Sequence, residues 1–348
     1  MPFSDARRLV LATTVAALTV AACSSTASTP ESIPVFVIAG QSNAKGGAPL
    51  SGLNALAAVL PVDDQPLSLD ERAAARSAFQ AGIGAMCEAD DLTPSVLADA
   101  SIDALRDGGL DIGGIDERFE ISGAEIVAHR YQWALPNESL VDISNEDDAG
   151  APEWQRDDPT PLAGGFGFIS DEAMFYGPEL GFGLELERDV QKFGVVKVTM
   201  SGSALFEQWA PGAQLRQALF DRTEEYLADR PDHEVAAFIW FQGFNDQFEE
   251  FSIRDYDDNL NSLVSEVRAE HGAETPVIVV ESRRPDDLPT LGEIADAQQR
   301  VVAGLSNAAL VSTSGLTTCF HYDSTSQLVI GQRIARAWRD LQATTSQS

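Results

Sequence analysis

Positive charge is scarce in this chain: 23 lysines and arginines stand against 54 aspartates and glutamates in 348 residues, a formal net charge of -31. Such a surface repels the phosphate backbone, which excludes nucleic acid as a partner. It also carries no polybasic patch for an anionic bilayer. The acidity therefore reads as solubility in a salty or extracellular setting rather than as part of the chemistry. Histidine is rare, with four residues, and cysteine rarer, with Cys23, Cys87 and Cys319. None has metal-ligand spacing, so neither a zinc centre nor any other metal or cofactor is expected. Asp107, Asp111 and Asp116, set among Gly108-Gly109 and Gly113-Gly114, lack the calcium-loop spacing and read as a solvated acidic loop. No internal repeat is present.

What is present begins with a leader. Arg7 and Arg8 precede an apolar stretch, Leu9 to Val20, that ends in Val20-Ala21-Ala22-Cys23. This reads as an export signal over residues 1–22 whose last residues resemble a lipobox, with Cys23 as the acylated first residue of the mature chain. An ordinary small-residue cleavage site is the alternative. Removing those residues takes away Arg7, Arg8 and Asp5 and leaves a net charge of about -32. Residues 23–34 form a Ser/Thr-rich tether. Membrane attachment would rest on the lipid at Cys23, and the protein is expected to be exported and held at a membrane, cell surface or periplasm. In an oxidising compartment Cys87 and Cys319 either pair or remain two buried thiols.

From residue 35 to about 345 the pattern is that of one large domain, and 44% hydrophobic residues suffice for its core. Short apolar runs, Val35 to Ala39, Val195 to Met200, Val235 to Phe241, Pro276 to Val280 and Ala309 to Val311, alternate with amphipathic stretches. Those stretches are Pro178 to Phe193, Ala213 to Ala228, Arg254 to His271 and Gly292 to Leu305, with a last helix after Ser324. The alternation predicts an α/β fold of three layers, a doubly wound and mainly parallel sheet between helices. One interval is too long: roughly 155 residues separate the first two runs, where a crossover needs a few tens. An insertion over about 48–165, forming a cap or lobe at the sheet rim, is expected there. Ser68-Leu69-Asp70-Glu71 and Thr93-Pro94 open predicted helices within it.

Distinctive motifs sit where the runs end. The first run leads into Gly40-Gln41-Ser42-Asn43, the second into Ser201-Gly202-Ser203, the third into Gln242-Gly243-Phe244-Asn245-Asp246, and the fifth into Phe320-His321-Tyr322-Asp323. In open α/β sheets ligands bind outside the carboxyl ends of the strands, so these residues share one edge. In this order they resemble the Ser, Gly, Asn and His blocks of the SGNH hydrolase superfamily. Gly40-Gln41-Ser42-Asn43, Gly177-Pro178-Glu179 and the Trp240-to-Asp246 pattern narrow the resemblance to its sialate O-acetylesterase and acetylxylan esterase branch. It spans about residues 33–340 apart from most of the insertion. The resemblance implies a flavodoxin-like fold and a serine esterase that removes O-acetyl groups from carbohydrate through an acyl-enzyme.

The residue types suit that chemistry. Ester cleavage needs a hydroxyl nucleophile, a base for its proton, and donors aimed at the oxygen that becomes negative. Ser42 and His321 are the candidate nucleophile and base; Ser42, Gly202 and Asn245 are the candidate oxyanion donors. His129, His233 and His271 read as structural or surface residues. Three residues before His321 the family pattern has an aspartate, whereas this chain has Thr318. Either a backbone carbonyl holds the imidazole or a carboxylate such as Asp323, Asp246 or Glu281 does so. Trp209 and Trp154 either stack on a sugar or pack in the core. Gln41 and Gln242 either bind substrate or tie strand ends together, and Glu179 either faces substrate or caps its helix. Two alternatives to a carbohydrate acetylesterase stay open: an esterase for other short acyl esters, and a carbohydrate-binding protein that kept the fold without catalysis.

Overall fold

Val35, Val37 and Ala39 point into one hydrophobic cluster while Phe36 and Ile38 point into another, so the first strand is covered on both faces. That is what a continuous apolar run requires, because successive side chains alternate across a sheet. The computed structural model describes residues 32–49, 120–134, 139–142, 158–167, 175–282, 289–316 and 321–345. In chain order the strands are β1 Ile33–Gly40, β2 Ala48–Pro49, β3 Glu120–Ala134, β4 Ser139–Asp142, β5 Thr160–Ala163, β6 Phe175–Tyr176, β7 Phe193–Met200, β8 His233–Phe241, β9 Val277–Val280 and β10 Ala308–Val311. The helices are α1 Ser42–Lys45, α2 Pro178–Leu186, α3 Gln214–Ala228, α4 Glu250–His271, α5 Pro289–Gly304 and α6 Ser324–Thr345, with a 3-10 turn at Asn245–Phe248.

The main sheet runs β10-β9-β8-β1-β7-β3-β4. From β10 to β3 every pairing is parallel; β4 and β5 join β3 antiparallel. β1 has β7 on one side and β8 on the other, so the chain reverses its direction of winding there and opens a crevice at the carboxyl ends. Helices α2 and α6 cover the face of Phe36 and Ile38; α3, α4 and α5 cover the other. The three-layer, mainly parallel α/β/α fold read from the sequence is thus the fold observed. The helix expected over Pro178 to Phe193 ends at Leu186, and Phe193 opens β7 against Ala124.

One expectation needs correction. The segment at about 48–165 is not wholly a lobe at the rim, because β3 lies inside the sheet, with Ile126 opposite Val195 and His129 opposite Val198 on β7. Ile126, Val127 and Ala128 fill its buried centre, but Gly123, Glu125, His129 and Arg130 break the apolar run that marks the other strands. The helices predicted after Ser68 and Thr93 lie outside the described residues.

Two features hold the serine-bearing turn in place. α2 and α6 pack backbone to backbone: a Cβ on Gly181 would sit 2.2 Å from the Leu328 carbonyl oxygen, and one on Gly331 2.1 Å from that of Pro178. No larger residue fits that crossing without moving a helix. The second is Lys197, fully buried in the middle of β7 on the α2 side of the sheet. Its Nζ donates to Glu179 Oε2 at 2.8 Å, to the Lys45 carbonyl at 2.6 Å and to the Phe166 carbonyl at 3.0 Å. An ammonium has three donors, and all three are used. Burial pulls the Lys197 pKa down, while the Glu179 carboxylate works against that.

Lys45, at the end of α1, is also buried, and desolvation followed by repulsion from Arg130 and Lys197 lowers its pKa to about 8. The unfolded chain keeps the ordinary value near 10.5, so between those values it binds a proton that the folded chain has shed. The charged form costs stability below pH 8, and the cost is relieved as pH rises towards 10.5. Replacing Lys45 by Met should therefore raise the urea midpoint relative to the parent at pH 7.5, with the advantage shrinking by pH 9.5. Midpoint curves that run parallel over that range would contradict the assignment.

Candidate active site

The four motif segments meet at one edge of the sheet. Ser42 opens α1 directly after β1, Gly202 follows β7, Asn245 follows β8, and His321 lies just before α6. A cleft of about 600 Å³ is lined by Gln41, Ser42, Asn43, Ser201, Gly202, Phe244, Asn245, Phe248 and His321. Residues 279 positions apart in the chain, Asn43 and Tyr322, are joined beside it: the Tyr322 backbone N–H donates to Asn43 Oδ1 at 3.3 Å. Gln327 Nε2 adds a bond to the Asn43 carbonyl at 3.1 Å. The residue after Ser42 thus grips the residue after His321, which brings the candidate nucleophile and base to one cleft.

Gly202 adopts a φ of 74°, a left-handed conformation that a side chain would strain. In that conformation its carbonyl accepts a hydrogen bond from Asn245 Nδ2 at 2.8 Å. The orientation of the Asn245 amide is set from its other end. Gln41 Nε2 donates to Asn245 Oδ1 at 3.4 Å, while Gln41 Oε1 accepts from the backbone N–H of Gly243 at 3.2 Å and of Asn245 at 3.5 Å. The amide oxygen is directed at Gln41, and the NH2 group is left for Gly202 and for the cleft. Gln41 lines the cleft, but its amide joins the ends of β1 and β8, the second of its two expected roles.

The other expected substrate contacts are placed elsewhere. Trp209 is wholly buried, donates Nε1–H to Ser203 Oγ at 2.9 Å and packs edge to face on Trp240 with ring centres 5.1 Å apart. It is a core residue and not a sugar platform. Gln242 is buried, with Nε2 donating to the Ser203 carbonyl at 3.0 Å and to Asp246. Glu179 is buried under α1, where it accepts from Lys197 and from the Gly177 N–H at 2.9 Å. Neither lines the cleft. Trp154, Thr318, Cys319, Cys87 and Cys23 lie outside the described residues.

The three carboxylates considered for orienting His321 have structural work of their own. Asp246 is buried and accepts from the Leu205 N–H at 2.9 Å and from Ser252 Oγ at 2.6 Å. Desolvation raises its pKa, and these hydrogen bonds oppose the rise. Glu281 accepts from Ser312 Oγ at 3.0 Å. Asp323 caps α6 by accepting the Ser326 N–H at 2.8 Å. None of them lines the cleft. Among the described residues no group of three or more His, Cys, Asp or Glu side chains is arranged to hold a metal ion.

Sequence reasoning missed Phe244 and Phe248 as lining residues. Phe244 stood inside the Asn motif, and Phe248 follows Asn245 by three residues on the same 3-10 turn, so the turn itself was the available signal. It also missed Lys197, which a lysine in the middle of Phe193-Gly194-Val195-Val196-Lys197-Val198 could have flagged.

Fold and site define a doubly wound α/β protein with its reactive groups at the carboxyl edge of the sheet. The family model for carbohydrate esterases, sialic acid-specific acetylesterases, matches residues 148–340, more than half of the chain, and the chain belongs to that family. A probable carbohydrate esterase of Arabidopsis thaliana is 26% identical over 157 residues, which are 44% of this chain and 58% of that protein. The chain therefore spans little more than half the length of this curated relative. Among solved structures, an Arabidopsis thaliana protein superposes with a TM-score of 0.52 at 17% identity, over 89% of this chain and 98% of that one. The structure of NanS gives 0.52 at 13% identity, over 91% and 99%. At these identities the likeness is one of fold.

Oxyanion donors act mainly as charge develops, so the oxyanion role expected of Asn245 predicts that Asn245→Ala lowers kcat by about 100-fold and changes KM by less than about threefold. Steady-state kinetics on p-nitrophenyl acetate give both numbers. A rise confined to KM would assign Asn245 to ground-state binding instead.

Proposed function

We propose that this protein is a serine esterase that removes O-acetyl groups from carbohydrate. The observation that carries the reading is the convergence of Ser42, Gly202, Asn245 and His321, from four separate chain segments, on one cleft. Membership of the carbohydrate esterase family supports the substrate class. In this reading Ser42 Oγ attacks the acetyl carbonyl carbon while His321 takes the hydroxyl proton. The carbonyl oxygen becomes an oxyanion facing the Ser42 and Gly202 N–H groups and the Asn245 amide. Collapse of the tetrahedral intermediate breaks the bond to the sugar oxygen, which leaves with the proton held by His321. Water, deprotonated by the same imidazole, then attacks the acetyl-serine and releases acetate and the free hydroxyl of Ser42.

Ser42→Ala and His321→Ala should each lower turnover of p-nitrophenyl acetate and of acetylated xylo-oligosaccharide by about 1000-fold or more without loss of folding. The double variant should be little worse than either, because the two groups serve one step. Multiplicative losses, or a parent with no turnover on any short acyl ester, would overturn the mechanism.

We further propose export and lipid anchoring through Cys23. The support is Arg7-Arg8, the apolar stretch from Leu9 to Val20, the residues before Cys23 and the tether that follows. In this reading attachment is by the acyl group at Cys23; among the described residues no helix is long and apolar enough to cross a membrane. Metabolic labelling with a fatty acid should mark the parent and fail to mark Cys23→Ser; equal labelling of both would refute it.

A further inference from the structure

Among the described residues the large hydrophobic side chains left exposed are Phe248, at 63%, and Phe251, at 45%. They are not scattered. Phe248 lines the cleft beside Asn245, and Phe251 follows three residues later in the first turn of α4. Phe244, also in the cleft, meets Phe248 edge to face with ring centres 5.5 Å apart, and Phe206 meets Phe251 in the same way at 4.9 Å. Apolar aromatic surface is thus concentrated on the rim of the cavity that holds the reactive groups. Clustered exposure of apolar aromatic surface of this kind marks a binding surface.

The rim is also rigid. Phe248 ends the 3-10 turn that starts with Asn245, and the turn is pinned through Asp246 to the Leu205 N–H and to Ser252. Gln247 Nε2 donates to the Phe244 carbonyl at 2.9 Å, closing the turn on itself. A ring held this way presents a fixed apolar face a few residues from the oxyanion donor. A phenyl group has no polar handle, so what it recognises is an apolar surface of matching size. The C–H face of a pyranose ring is such a surface, with its hydroxyls at the edge and free to face water.

We propose that Phe248, backed by Phe244, is a stacking platform for the pyranose ring that bears the acetyl ester. The proposal rests on the esterase reading for its orientation of the sugar, and its test includes an arm that needs no turnover.

The first arm is binding of acetylated xylo-oligosaccharide to the Ser42→Ala protein by calorimetry, compared with the same protein carrying Phe248→Ala or Phe248→Trp. The alanine change should weaken binding by about fivefold to tenfold and the tryptophan change should retain it. The second arm is turnover by the otherwise unchanged enzyme. The loss of kcat/KM caused by Phe248→Ala should be about tenfold larger on acetylated xylo-oligosaccharide than on ethyl acetate, an ester with no ring to stack. Unchanged binding, equal losses on both esters, or a shift in acyl-chain preference would overturn the platform. A parent that turns over neither ester would remove the esterase reading while leaving the binding arm to decide on Phe248.

Discussion

The ammonium group of Lys197 is the interaction on which the arrangement of this protein rests. It lies in the middle of β7 with no exposed surface, and its three hydrogen bonds reach three different parts of the chain. One goes to the last residue of α1, the turn that carries Ser42; one goes to the loop at Phe166; one goes to Glu179 in the first turn of α2. A buried charge is tolerated only when it is paired and hydrogen-bonded, so the three acceptors have little freedom to move apart. Glu179 extends the constraint by accepting the Gly177 N–H, which fixes the entry to α2. The glycine crossing of α2 on α6 then carries it to the helix that follows His321. The positions of Ser42 and of His321, the proposed nucleophile and base, are in this way both tied to one buried cation.

The same logic explains why some of the fold was legible in the sequence and some was not. β1, β7, β8 and β9 are largely buried on both faces, and their sequences, like that of the half-buried edge strand β10, are nearly continuous apolar runs. β3 lies between β7 and β4, yet Glu125 on one side of its apolar centre and His129 and Arg130 on the other interrupt the run. Glu125 accepts from Tyr226 and from Arg230, and Arg130 Nη1 donates to the Gly167 carbonyl at 3.5 Å. Periodicity registers apolar burial and is blind to polar groups that a strand satisfies within the fold. Counting 48–165 as an insertion followed from that blindness.

At the site the division is different. The meeting of Ser42, Gly202, Asn245 and His321 at one cleft was legible because each belongs to a short motif at a strand end or before a helix, where chain-local sequence and spatial position coincide. Trp209, Gln242 and Glu179 sit in or next to the same motifs and face the other way. Residue type told what bonds they can make; it did not tell on which side of the turn they make them. Trp209 found its partner in Ser203 and its packing in Trp240, so the tryptophan most suited to a sugar is sealed in the core. The aromatic surface that does reach the cleft comes from phenylalanines, whose exposure no residue scale would have anticipated.

A polar network and an apolar rim therefore divide the tasks at this edge of the sheet. The network built by Gln41, Asn245 and Gly202 spends every bond on fixing an amide direction, since Gln41 satisfies the oxygen end of Asn245 and Gly202 the nitrogen end. Donors fixed before substrate arrives need no rearrangement when charge develops, which is where such groups gain their effect. The rim at Phe244 and Phe248 grows from the same 3-10 turn as Asn245, so any shift that moves the stacking surface moves the donor with it. Coupling of this kind links the grip on the remote part of a substrate to geometry at its reacting carbonyl, and binding energy gained on the rim is available for orientation at the ester.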